Sequence, residues 1–181
     1  MIDFDKFVMA APPRTGIKCF SETVKRAGIR PLWFPHEEYL PSLRGDQTFV
    51  VSIIRHPYAW LKSLYFNLPP TNMKMHKELA GIVQIARTSK CFFDLVARVS
   101  AVPGCVGRVF DSYRANSVLR LEDFPWAIHS LLDLFDCPDR NVSHERLNIG
   151  LQVSVFEDDA VKLRKLILKT ESAFCQKYEF F

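Results

Sequence analysis

No stretch of this chain approaches the roughly 18 consecutive apolar residues that a bilayer-spanning helix requires, so no membrane span is expected. The opening MIDFDKFVMAAPP carries acidic residues ahead of a short apolar run and has no basic leader, which is not a secretory pattern. The expected location is therefore cytoplasmic. Cysteine is sparse: Cys19, Cys91, Cys105, Cys137 and Cys175 lie at wide, irregular spacings with no CxxC. That spacing excludes the usual zinc frameworks, and an odd count suits reduced thiols. Charge does not run in blocks. Lys and Arg number 24 against 20 Asp and Glu, a net +4 spread along the chain. No basic tail or run points to a nucleic-acid partner, and no repeat or low-complexity linker divides the sequence.

What is present suits one globular α/β domain over residues 1–181, 48% hydrophobic and 24% charged. KFVMAA (6–11) reads as a short strand. IKCFSETVKRA (17–27) reads as a helix that Gly28 closes, and PLWF (31–34) as a second strand. TFVVSII (48–54) is continuously apolar and β-branched, as in a strand covered on both faces. Pro57 then opens a helix over 57–66, where its missing N–H costs nothing. Further helices are expected within MHKELAGIVQIA and CFFDLVARVSA. SVLRL (117–121) reads as a strand leading into a loop and helix. The segment 103–113 fits neither pattern. EDDAVKLRKLILKTESAFCQKYEFF reads as one long amphipathic helix, with Val161, Leu163, Leu166, Ile167, Phe174 and Tyr178 sharing a face. Strands alternating with helices predict a three-layer, P-loop-like domain with a central, mostly parallel sheet.

In such folds ligands bind beyond the carboxyl ends of the strands. The segment APPRTG lies between a strand and a helix start, where free N–H groups attract anions. Gly16 permits close approach or positive φ. Arg14 offers a guanidinium fork, Thr15 a hydroxyl and Lys18 a nearby charge. A Walker A loop would need G-x-x-x-x-G-K-[ST]. Ala11 stands where its first glycine belongs, Lys18 comes two residues after Gly16, and Cys19 takes the place of the magnesium-holding hydroxyl. A small-molecule kinase is therefore the weaker expectation. SIIRHPYAWLKSLY (52–65) supplies a second candidate anion site at the same sheet edge. Arg55 ends the best strand, and Ser63 follows eight residues later on the helix, about 9 Å beyond Pro57 at 1.5 Å per residue.

The two stretches together resemble the PAPS-dependent sulfotransferases, in a compact carbohydrate-type or bacterial and phage-like form. PPRTGIKCF is similar to their 5'-phosphosulfate loop, P-[KR]-[ST]-G-[TS]-[TS]. IIRHPYAWLKSLY is similar to their 3'-phosphate motif, and SVLRLEDF to their later strand. The resemblance implies a sulfotransferase. It would move a sulfuryl group from 3'-phosphoadenosine 5'-phosphosulfate (PAPS) to a hydroxyl or amine of a small-molecule or carbohydrate acceptor. Transfer would be in-line and metal-independent. It implies cofactor binding by Pro13, Arg14, Thr15, Gly16, Ile17, Lys18, Cys19, Arg55 and Ser63. Arg14 and the loop amides would stabilise charge on the leaving phosphate. The general base is expected among His36, Glu37 and Glu38 of PHEEYLP, with His36 the best matched in resting pKa. Ile17 and Lys18 depart from the family, which carries small hydroxyl residues there. A nucleotide-binding homologue without turnover is the alternative.

Overall fold

The structure, a computed structural model, describes residues 2–3, 7–29, 32–33, 49–135 and 157–180. The chain forms two compact units, each assembled from two segments. Met1–Ile54 joins Tyr113–Ile149, and Arg55–Ser112 joins Gly150–Phe181.

The first unit is built on a five-stranded sheet. Its strands are β1 (Ile2–Asp3), β2 (Val8–Met9), β3 (Leu32–Trp33), β4 (Val50–Ile54) and β5 (Ser117–Arg120), in spatial order β3-β1-β2-β4-β5. β2, β4 and β5 run parallel, with Val8 opposite Val50 and Ile54 opposite Arg120. β1 is antiparallel to both its neighbours. The result is a mixed α/β fold with a small, mostly parallel sheet. All five residues of β4 are buried, which is why the run is continuously apolar instead of alternating.

Helices α1 (Ile17–Arg26) and α6 (Trp126–Leu134) cover one sheet face. Phe20 and Val24 of α1 and Ile128, Leu131 and Leu132 of α6 pack with Met9, Val51, Ile53 and Leu119. Phe7 joins this core, stacked 4.8 Å from Phe135 and edge-on to Phe20. Each large apolar side chain so buried contributes about 1.5–3 kcal/mol. Gly28 closes α1 at φ 83, as its position after the last helical turn predicts.

The second unit is helical: α2 (Pro57–Phe66), α3 (Lys77–Thr88), α4 (Phe92–Ser100), α5 (Cys105–Asp111), α7 (Glu157–Thr170) and α8 (Ser172–Lys177). α2 has the expected bounds, with Trp60, Leu61 and Leu64 buried. The unassigned 103–113 segment holds α5, entered through Gly104 at φ 73. The long C-terminal helix is two helices, parted at Glu171. Its buried face runs through Leu163, Ile167, Glu171 and Phe174. Val161 and Leu166, expected on that face, are exposed. At 100° per residue they fall on either side of the Leu163–Ile167 row, and the break at Glu171 turns the chain to bury Phe174 and Cys175.

Candidate functional site

The first candidate loop follows β2. Its geometry comes from two residues in the left-handed region, Arg14 at φ 70 and Gly16 at φ 92. Glycine takes that conformation freely, whereas arginine takes it at a cost of about 1–3 kcal/mol that its surroundings must offset. One restraint is Thr15, which is fully buried and whose Oγ1 donates to the Pro12 carbonyl at 2.7 Å. The hydroxyl proton thus serves the loop, leaving Thr15 its backbone to offer a ligand.

Gly16 is the N-cap of α1, and no side chain caps this helix. The Phe20 N–H returns to the Gly16 carbonyl at 3.0 Å, so the preceding N–H groups lie before the intrahelical ladder begins. Arg14 and Pro13 are half-buried at the loop's apex. Ile17 packs against the hydrophobic core, which accounts for an aliphatic residue at the first position of α1. Lys18 is exposed and Cys19 half-buried.

Sequence reasoning missed Leu121. A Cβ placed on Gly16 would lie 2.5 Å from its Cδ1. Leu121 begins the 3-10 turn Leu121–Asp123 directly after β5, so the parallel strands bring this turn against the loop. Gly16→Ala combines that clash with a left-handed backbone. We expect it to cost about 2–3 kcal/mol, read as a lower urea midpoint. A loss below about 1 kcal/mol would show that loop and turn yield together. In the same turn Asp123 pairs with Arg120 at 3.2 Å, so one acid of LEDF orients a basic side chain.

The second candidate stretch begins where β4 ends. Arg55 is half-buried, and His56, 8% exposed, is the N-cap of α2. His56 Nδ1 accepts the Tyr58 N–H at 3.2 Å, which requires that nitrogen to be unprotonated. Burial, then the charge of Arg164, then that of Arg55 push its pKa down to about 4, against a raising backbone hydrogen bond. The cap is thus neutral at physiological pH. Phe180 packs edge-on against its ring at 5.6 Å. Arg164, on α7, was not foreseen; a cation a hundred residues further along the chain leaves no local sequence signal. Ser63 is half-buried in the second turn of α2, and its carbonyl accepts from Asn67 Nδ2 at 3.2 Å. His36, Glu37 and Glu38 lie outside the described residues.

His76 has a structural task. It caps α3, with Nδ1 3.4 Å from the Leu79 N–H and 3.2 Å from Glu78 Oε2. Ser112 Oγ lies 3.2 Å from Nε2 and 3.4 Å from Nδ1, while donating to the Val109 carbonyl at 2.6 Å. Its proton is committed to α5 and its oxygen addresses neither ring nitrogen alone, so the trio is not a nucleophile–base relay. Among the described residues no group of His, Cys, Asp and Glu is arranged to hold a metal ion, and no helix is long and apolar enough to cross a membrane.

Fold and loops together define a mixed α/β protein with a glycine-capped βα turn after its first parallel strand. No family model, curated protein or solved structure matches the chain.

Proposed function

We propose that the protein is a PAPS-dependent sulfotransferase. The carrying observation is the β2–α1 loop: left-handed Arg14 and Gly16, a Thr15 hydroxyl tied inside the loop, and a helix start with no side-chain cap. Such a start offers backbone N–H groups and the positive end of the helix dipole to an anion. Gly16 holds the left-handed backbone of the helix start, at φ 92, without the strain a side chain would bring. These features fit a phosphosulfate group. A three-layer, P-loop-like architecture and a cytoplasmic setting accompany this reading.

PAPS supplies an activated sulfuryl group when bound, and the chain's residues position it. Pro13, Thr15, Gly16, Ile17, Lys18 and Cys19 contribute backbone donors around the 5' side, and exposed Lys18 adds charge. Arg14 offsets negative charge at the leaving phosphate, the larger demand in an in-line transfer. Arg55 and Ser63 take the 3'-phosphate, with the fixed neutral cap of His56 holding the start of α2 between them. His36 or Glu37 removes the proton of a small-molecule or carbohydrate hydroxyl. A second reading, nucleotide binding without turnover, draws on Ile17, whose side chain packs into the core.

Calorimetric titration in magnesium-free buffer tests the proposal. We expect 3'-phosphoadenosine 5'-phosphate to bind at least about tenfold more tightly than adenosine 5'-phosphate, since a phosphate held by an arginine contributes about 1.5–3 kcal/mol. ATP binding that depends on magnesium, with no preference for the 3'-phosphate, overturns it.

A further inference from the structure

The net charge of this protein is gathered unevenly. The helical unit carries thirteen Lys and Arg against eight Asp and Glu, an excess of five, whereas the sheet unit carries eleven against twelve. The excess lies within Arg55–Ser112, whereas Gly150–Phe181 carries five of each sign; on α7 the basic residues follow a first turn of three acids, Glu157, Asp158 and Asp159. Lys162, Lys165 and Lys169 are all exposed and recur at the three- and four-residue intervals that share one helix face. None of the three makes an ion pair or hydrogen bond among the described residues. Some charges of this unit are engaged: Lys177 pairs with Asp111 at 3.0 Å, Arg87 donates to the Pro69 carbonyl at 2.7 Å, and Arg98 donates to Thr88 Oγ1 at 3.0 Å; Lys74, Lys77 and Lys90 are exposed, as the α7 lysines are.

Two aliphatic side chains interrupt this basic face. Leu166 is 37% exposed and Val161 54%. The inward face of α7 is already filled by Leu163 and Ile167, and α7 packs against α2 and α4. Val161 therefore stands largely outside the core, and Leu166 lies at its edge. Lysines interleaved with exposed aliphatics suit one kind of partner: a surface of fixed negative charge over an apolar layer. A soluble anionic polymer would use the lysines and leave Leu166 and Val161 idle.

We propose that the outward face of α7 is a peripheral docking site for anionic phospholipid, with Lys162, Lys165 and Lys169 against the headgroups and Leu166 and Val161 at the acyl boundary. The contact lies on the surface and spans nothing. It is independent of the nucleotide reading, because Arg14, Arg55 and Ser63 take no part in it.

The test is co-sedimentation of the full chain with vesicles of phosphatidylcholine alone or phosphatidylcholine mixed with phosphatidylserine. Binding is expected only to the mixed vesicles and to weaken as salt is added. Replacing all three lysines (Lys162→Gln, Lys165→Gln, Lys169→Gln) is expected to lower partitioning on the order of 100-fold, at about fivefold per lysine. The paired change Lys74→Gln, Lys90→Gln, at exposed lysines elsewhere in the same unit, is expected to leave binding nearly intact. Leu166→Ser separates lipid from polymer: it is expected to weaken vesicle binding severalfold and leave retention on heparin unchanged. Circular dichroism of each variant checks that the helices persist. Four outcomes overturn the proposal: no binding to mixed vesicles, equal binding to neutral ones, full binding by the folded triple variant, or a Leu166→Ser protein that binds vesicles as well as the parent.

Discussion

Arg55→Ala is expected to weaken binding of 3'-phosphoadenosine 5'-phosphate about 100-fold while leaving adenosine 5'-phosphate nearly unchanged. The size follows from losing a charge-assisted contact to a dianion, about 1.5–3 kcal/mol. The selectivity follows from chain position. Arg55 stands between the end of β4 and the His56 cap, half-buried, so its backbone is held by a buried strand on one side and a capped helix on the other. Arg55→Lys keeps the charge but loses the planar fork, and an intermediate loss is expected. Ser63→Ala removes one neutral hydroxyl from the second turn of α2 and is expected to cost about tenfold, again only for the 3'-phosphorylated nucleotide. Calorimetry with the two nucleotides side by side reads the result. If Arg55→Ala weakens both equally, Arg55 does not read the 3'-phosphate. If it weakens neither, the second anion site lies elsewhere.

The strand and helix that carry those residues were legible because their signals are local. A continuously apolar β-branched run, a proline two residues after the arginine and a break at Asn67 mark strand, helix start and helix end within twenty residues, and α2 follows them closely. The β2–α1 turn was legible for the same reason, since Gly16 and Gly28 bracket α1 at the two positions of positive φ. What stayed hidden depends on partners far along the chain. Nothing near Gly16 announces Leu121, and nothing near His56 announces Arg164. β1, two residues long, is too short for any period to show, whereas β3 (Leu32–Trp33) falls inside the strand expected over 31–34. α5 went unassigned because seven residues give less than two turns of pattern and its N–H groups are satisfied by a residue more than sixty positions away. The C-terminal segment misled in the opposite direction. Its apolar spacing suits one continuous helix, and the residue that ends α7, Glu171, is a good helix former whose buried role is set by tertiary contacts.

Glu171 is the subject of the second large prediction. It is a carboxylate 1% exposed, and Oε1 and Oε2 accept the Val106 and Gly107 N–H groups at 3.1 and 3.0 Å. The Gly104 N–H also donates to the Thr170 carbonyl at 3.0 Å, so the start of α5 is stitched to the α7–α8 junction by three bonds. Glu171→Ala strands two buried donors at about 1–3 kcal/mol each and opens a cavity. The expected loss is about 4 kcal/mol, enough to unfold a marginal protein, read from urea denaturation followed by circular dichroism. Glu171→Gln retains one acceptor and is expected to cost about 1–2 kcal/mol. Equal, small losses in both variants would show that water replaces the carboxylate. The pH profile separates the charge from the contact. Burial raises the Glu171 pKa above its ordinary 4.5, outweighing the lowering by the Gly107 and Val106 N–H groups and by Arg108. Between 4.5 and that raised value the folded state holds the proton more tightly than the unfolded state, so this group's contribution falls as pH climbs through the window and is flat above it. His56 acts oppositely: its pKa is lowered from 6.5 to about 4, so its contribution grows as pH rises across that interval. Subtracting the Glu171→Gln profile from the wild-type profile cancels His56 and is expected to leave a stability difference that declines with rising pH above 4.5. A difference that rises instead would mean that the Val106 and Gly107 bonds outweigh burial and hold the carboxyl below its ordinary value.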